Sequence, residues 1–305
     1  MRATSLLRTV VAWAWRLPLC ALAYLAGTMA AGAVVSTLGL PLPEIPEQAN
    51  AETMGLVLAL ANVVLALGVA PLARGMKTTY PVRALILALL CYVCLGVNTP
   101  IEAAIFTKLG GMSTMVLFSL LPCLLFGAVT ALLFKHPGRA EPFRVSARRF
   151  FSGRNPGQWA WRLVAAAVAF PAIYLSFGMM VAPVVAGYYR QEQFGLTLPS
   201  GGAIVLVQLL RGSLFLLAAL PVLIAWPGSR LRLTVTLGLA LYVLVGLFSM
   251  MQSYWLAPAL QIAHNLEIFA DSMVHALVLT LLLVPAGPAR SEAPAATPSL
   301  PVPCA

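Results

Sequence analysis

His264, Glu267, Asp271 and His275 follow one another at spacings of three, four and four in an otherwise apolar stretch. On a helix turning 100° per residue they fall within roughly an 80° arc, so they form a single polar stripe. Imidazoles and carboxylates arranged this way can hold and pass protons near neutral pH. His and Glu three residues apart can also ligate one metal ion. Charge inside a bilayer is costly unless paired or hydrated, so the stripe must face the protein interior or water.

Gln208 and Arg211, three apart, share one face of another apolar run. Arg211 is the only arginine expected within the hydrocarbon, and it requires an anion. Arg211 and Glu267 each lie about nine residues from the outer end of their runs, a depth of roughly 13 Å. Asn62 falls at a similar level in its own run, and Asn98 and Glu102 lie near the outer end of another, where Pro100 is expected to break or bend the helix. These positions predict a polar pocket in the outer half of the bilayer. It is built from Asn62, Asn98, Glu102, Gln208, Arg211, His264 and Glu267, with Asp271 and His275 continuing inward.

Three chemistries suit such a pocket. A carrier would use the stripe as a proton relay. A metal-dependent enzyme acting on a lipid-like substrate would take Glu102, His264 and Glu267 as ligands and Arg211 as an electrophilic clamp. A non-catalytic sensor or assembly subunit would only bind. The sequence holds no HExxH, no GxSxG and no glycine-rich phosphate loop, so binding or transport of a small or anionic ligand, with proton coupling, is preferred to catalysis. No catalytic residue or cofactor is assigned. The competing structural expectation is that Arg211 pairs with Glu267 or Glu102 simply to hold two halves of the molecule in register.

The elements that must position these residues are transmembrane helices. Of 305 residues 61% are hydrophobic and 9% charged, too few charges to wet a soluble surface. Long, continuous Leu/Ala-rich runs predict eight helical spans near 17–38, 54–73, 82–99, 112–134, 161–188, 202–226, 231–250 and 258–284, and the absence of alternation excludes barrel strands. The net charge of +10 does not indicate nucleic acid, because sixteen of the nineteen Lys and Arg fall in alternate connections and the termini. The opposite connections are acid-rich or nearly neutral, with Glu44, Glu47 and Glu52 in the first, Lys108 in the second, and Arg190 and Glu192 in the third. The positive-inside rule then predicts a bacterial inner-membrane protein with both termini cytoplasmic.

Trp13-Ala14-Trp15-Arg16-Leu17 recurs as Trp159-Ala160-Trp161-Arg162-Leu163, and Tyr92-Val93 as Tyr242-Val243. The fold class expected is therefore an all-α membrane bundle of two parallel four-helix repeats, 1–135 and 159–284. A basic cytoplasmic connection, 136–158, joins them. The WAWRL segments read as interfacial anchors, with indoles at the headgroups and arginine reaching the phosphates. Phe143, Phe150 and Phe151 among the arginines of the connection suit either contact with anionic lipid or a solvated loop that sets topology. Residues 285–305, rich in Pro, Ala and Ser, are expected to form a disordered cytoplasmic tail. Cys91 and Cys94 form a CxxC inside an apolar run and read as small membrane hydrophobes.

Three segments taken together, Ile101-Glu102-Ala103-Ala104-Ile105-Phe106, the QxxRG of Gln208, Arg211 and Gly212, and the AHxxE of Ala263, His264 and Glu267, resemble a group of uncharacterised bacterial polytopic inner-membrane proteins. The resemblance covers most of the chain between the first and last spans. It implies that these residues act as one site, and it implies no particular activity.

Overall fold

The computed structural model describes residues 2–41, 50–108 and 111–285. Glu44, Glu47 and all of the tail beyond Pro285 lie outside them. Backbone groups in hydrocarbon must be satisfied within their own segment, and the apolar runs accordingly fold as helices. The chain is an all-α bundle, and the described residues are 84% helical, with two isolated bridges as the only β pairing among them. Among the described residues, eight helices are long and apolar enough to cross a bilayer: Arg8–Thr37, Glu52–Gly75, Tyr80–Phe106, Met112–Leu133, Pro156–Arg190, Gly201–Ala225, Arg230–Gln252 and Pro258–Leu283. This is a multi-pass helical membrane protein.

The spans pack in a recurring pattern. The first packs on the second and fourth, and the third on the fourth; likewise the fifth packs on the sixth and eighth, and the seventh on the eighth. Between these groups the second span meets the seventh and the third meets the sixth. The second and sixth helices, Ala51–Gly75 and Gly201–Ala225, are each 25 residues long and begin 150 residues apart (51 and 201). Each has an internal proline, Pro71 and Pro221, at the same place. Where the two end, the Trp226 ring occupies the space a side chain at Gly75 would take, 1.9 Å from its ideal Cβ position.

The third and seventh spans each widen into a π-helical segment, Tyr92–Asn98 and Val243–Leu247. In each, a residue donates its backbone N–H five positions back, Thr99 to Cys94 and Phe248 to Val243. Each segment contains a close-packed glycine. An ideal Cβ at Gly96 would lie 2.6 Å from Ser119 of the fourth span, and one at Gly246 would lie 2.7 Å from Ile268 of the eighth. This geometry corrects the expected break at Pro100. The wider turn accommodates the proline, Thr99 Oγ1 adds a 3.0 Å bond to the Cys94 carbonyl, and the helix runs on to Phe106. Glu102 therefore stays on the third span.

The basic end of the bundle is tied together by its arginines. Arg154 Nη1 donates to the Leu283 carbonyl at 2.7 Å, Arg162 Nη1 to Leu282 at 2.7 Å, and Arg230 Nη2 to Val284. The unpaired carbonyls and negative dipole end of the last helix thus collect three cations. Burial, and then the neighbouring Arg162 and Arg230 guanidiniums, lower Arg154 from the usual arginine range. Arg162 also lies 4.6 Å above the Trp161 ring, so a side chain expected at lipid phosphates is engaged within the protein. The connection contains a helix, Phe143–Ser152, that packs on the sixth span. Its Phe150 stacks on Trp159 at 5.1 Å, and Trp159 Nε1 donates to the Phe151 carbonyl at 3.1 Å.

Candidate functional site

Arg211 is 1% exposed, and the residues that hold it come from three spans. Its Nη1 donates to Glu102 Oε1 of the third span at 2.6 Å and to Gln208 Oε1, one turn earlier on its own helix, at 2.9 Å. Phe170 and Tyr174 of the fifth span and Phe215 of the sixth place their ring centroids 5.6, 6.0 and 5.7 Å from the guanidinium carbon. Gly212 makes this approach possible, since an ideal Cβ there would lie 2.5 Å from the Ala167 carbonyl oxygen. The glycine of QxxRG is thus a packing requirement set by the fifth span.

A second polar unit lies on the eighth span. His264 Nδ1 is 2.9 Å from Glu267 Oε2, and His264 Nε2 is 3.0 Å from the Tyr189 hydroxyl of the fifth span. The similar depths of Arg211 and Glu267 had suggested that these two could pair. Instead Glu267 takes its partner one turn away on its own helix, while the third span carries Glu102 to Arg211.

Three adjoining cavities connect these units. The largest, about 240 Å³, reaches the connections at the end of the bundle opposite the basic one, and its wall carries Glu102, His264 and Glu267. A neighbouring cavity of about 220 Å³ is bordered by Leu175, Met179 and Val185 of the fifth span and by Leu198 and Ile204 near the start of the sixth. Phe106, Tyr174, Tyr189, His264 and Glu267 line both. The third, about 30 Å³, continues from Glu102 and Tyr174 to Arg211, Asp271 and His275, and it is large enough for a hydrogen-bonding water.

The rim of the large cavity joins the two halves of the chain. Lys108 N donates to the Gly195 carbonyl and Thr197 N to the Phe106 carbonyl, both at 2.8 Å, and Lys108 Nζ meets Glu192 Oε2 at 2.5 Å. These bonds hold Phe194 at a left-handed φ of 54°, which costs a non-glycine residue roughly 1 kcal/mol.

The stripe read from the sequence stays on one face. Glu267, Asp271 and His275 are buried, and His264 is partly buried. Among the described residues, Asp271 Oδ1, both ring nitrogens of His275 and Arg211 Nε have no hydrogen-bond partner. Buried polar groups of this kind are exceptional, and they coincide with the inner cavity. Asn62 and Asn98 are also buried, with neither amide atom of either partnered among the described residues, but neither lines any of the three cavities. Gln208 contributes through Arg211 rather than by lining the space. The aromatic wall of Tyr174, Tyr189 and Trp255 was not anticipated. Its only signal was tyrosine and tryptophan in or beside apolar runs, which hydropathy treats as ordinary membrane residues.

No protein-family model, curated protein or solved structure compared with the chain matches it. The function must be argued from the site itself. Among the described residues, no three His, Cys, Asp or Glu side chains converge as a metal-binding group. Of the three candidate ligands, Glu102 is directed to Arg211, while His264 and Glu267 bind each other. The four cysteines among the described residues, including Cys91 and Cys94, are free and buried.

Proposed function

We propose that the protein is a proton-coupled carrier of a small ligand, which enters the cavity lined by Glu102, His264 and Glu267. The observation that carries this reading is the continuity of that cavity with the unpartnered, buried Asp271 and His275. A pair that only fixed helix register would have no need of further ionisable groups beyond it. Below His275, Leu279 and Leu283 are fully buried on the same helix, so the polar path closes before the basic end. A site open toward one end and closed at the other suits one state of an alternating-access cycle.

We place the protein in a bacterial inner membrane with its termini in the cytoplasm and the cavity facing outward. The clustering of sixteen of nineteen Lys and Arg in alternate connections and termini supports this orientation. We further read the chain as two parallel four-helix repeats. Support comes from the recurring packing pattern, the paired π-helical segments and the offset of the second and sixth helices. The resemblance to uncharacterised bacterial membrane proteins through IEAAIF, QxxRG and AHxxE is consistent with placing Glu102, Arg211 and Glu267 in one site.

The test is solid-supported-membrane electrophysiology on phosphatidylcholine proteoliposomes challenged with sugars, amino acids, organic acids and organic amines under an imposed pH gradient. A pH-dependent current absent from protein-free liposomes, and lost in Asp271→Asn, is the expected result. No current with any of the four solute classes would overturn the carrier reading.

A further inference from the structure

We infer that the ligand class is a lipophilic organic cation, with its positive head between Glu102 and Glu267 and its apolar body in the side cavity bordered by the fifth and sixth spans. This rests on the reading of the cavity as a ligand site and adds the ligand's charge and shape. The residues lining the three cavities include three carboxylates, Glu102, Glu267 and Asp271, and one permanent cation, Arg211. Arg211 offers an incoming anion little, because its charge is paired with Glu102 and it lines only the inner cavity of about 30 Å³, not the two large ones. The carboxylates retain free acceptors. Glu102 uses Oε1 for Arg211 and Glu267 uses Oε2 for His264, and among the described residues no hydrogen bond is made to Glu102 Oε2 or Glu267 Oε1.

The rings around these oxygens have the complementary chemistry. Phe106, Tyr174, Tyr189, Phe194 and Trp255 line the large cavity beside the two carboxylates. Aromatic faces attract cations, most strongly where water is excluded, and the protein already uses that arrangement around Arg211. Aromatics and carboxylates together distinguish an organic cation from both an anion and a neutral amphipath.

The side cavity explains why the cation should be lipophilic. Its border is apolar, and Met179 and Leu198 on it are 69% and 58% exposed on the surface of the bundle. Glu267 is 6% exposed, and its free Oε1 lies at the inner limit of this cavity, 3.2 Å from the ideal Cβ position of Gly178. Because residue 178 has no side chain, an apolar body lying against the fifth span can bring an attached cation to the carboxylate.

The experiment is scintillation-proximity binding of tritiated tetraphenylphosphonium to the full chain in phosphatidylcholine nanodiscs. Tetraphenylborate, of similar shape and opposite charge, and tetramethylammonium, a cation without the apolar body, serve as competitors. Saturable binding above that of empty discs is expected, displaced by unlabelled tetraphenylphosphonium and by neither competitor. Glu267→Gln and Gly178→Leu should each weaken it by about tenfold or more, the weight of a desolvated charge or cation–π contact. Trp255→Ala, at the partly exposed mouth, should weaken it without disturbing the buried charges. Displacement by tetraphenylborate as effective as by the cation would overturn the charge assignment while leaving the cavity a ligand site. No saturable cation binding, or binding unchanged in both Glu267→Gln and Trp255→Ala, would overturn the inference, and the pH-dependent current would still judge the carrier reading separately.

Discussion

Arg211 and Glu102 are 109 residues apart in the chain and meet at 2.6 Å between the sixth and third spans. The guanidinium is 1% exposed while the carboxylate, at 27%, opens onto the large cavity. One partner is thus structural and the other is shared with the site.

This asymmetry gives an ordered set of stabilities. Glu102→Leu leaves a buried guanidinium with Gln208 as its only remaining hydrogen-bond partner among the described residues and should cost roughly 3–5 kcal/mol. Arg211→Met leaves a carboxylate that the cavity can hydrate and should cost less. The double variant should be more stable than Glu102→Leu alone. Thermal unfolding of the four proteins in nanodiscs, treated as a double-mutant cycle, checks the order, and simple additivity would contradict it.

The junction of Gly75 with Trp226 has no space for a methyl group. Gly75→Ala should destabilise by about 1–3 kcal/mol, the usual range for overpacking. Combining it with Trp226→Leu, which removes the ring, should recover most of that loss. Melting temperatures of the two single variants and the pair decide the matter.

At the basic end, Arg154 and Arg162 neutralise the carbonyl end of the last span. Replacing both with Ala should loosen that helix end by about 1 kcal/mol for each bond lost. Hydrogen exchange should then quicken at the last residues of the span, while exchange around Glu267, more than two turns away, stays as in the parent protein.

Lys108 and Glu192 sit at the rim of the large cavity, and Arg149 lies on the connecting helix at the other end. With native cysteines replaced by serine, Lys108→Cys and Glu192→Cys should react with a membrane-impermeant maleimide added to intact cells. Arg149→Cys should react only after permeabilisation. The reverse pattern would invert the proposed orientation.

How far the sequence could be read differed between fold and site. The third span shows why: a proline inside an apolar run led to the expectation of a break or bend at Pro100. A π-helical segment adds a residue to the turn and resets the face on which Glu102 emerges. Hydropathy contains no trace of that local widening, which depends on the Gly96 contact with Ser119. Asn62 was grouped with the site because it shares its depth, and Asn98 because it lies beside Glu102 near the outer end of its run. Depth is legible along one helix, but the direction a side chain takes depends on which helix lies beside it.

The sequence by itself determined the eight helical spans and the placement of His264, Glu267, Asp271 and His275 on one face. Each is a property of a single segment: its apolar length or its periodicity. The tertiary structure decided that Arg211 belongs to Glu102 rather than Glu267, that Tyr189 joins His264, and that Gly178 leaves a carboxylate open to an apolar side cavity. Those relations join segments distant in the chain. They arise from helix packing, which the pattern within any one span does not encode.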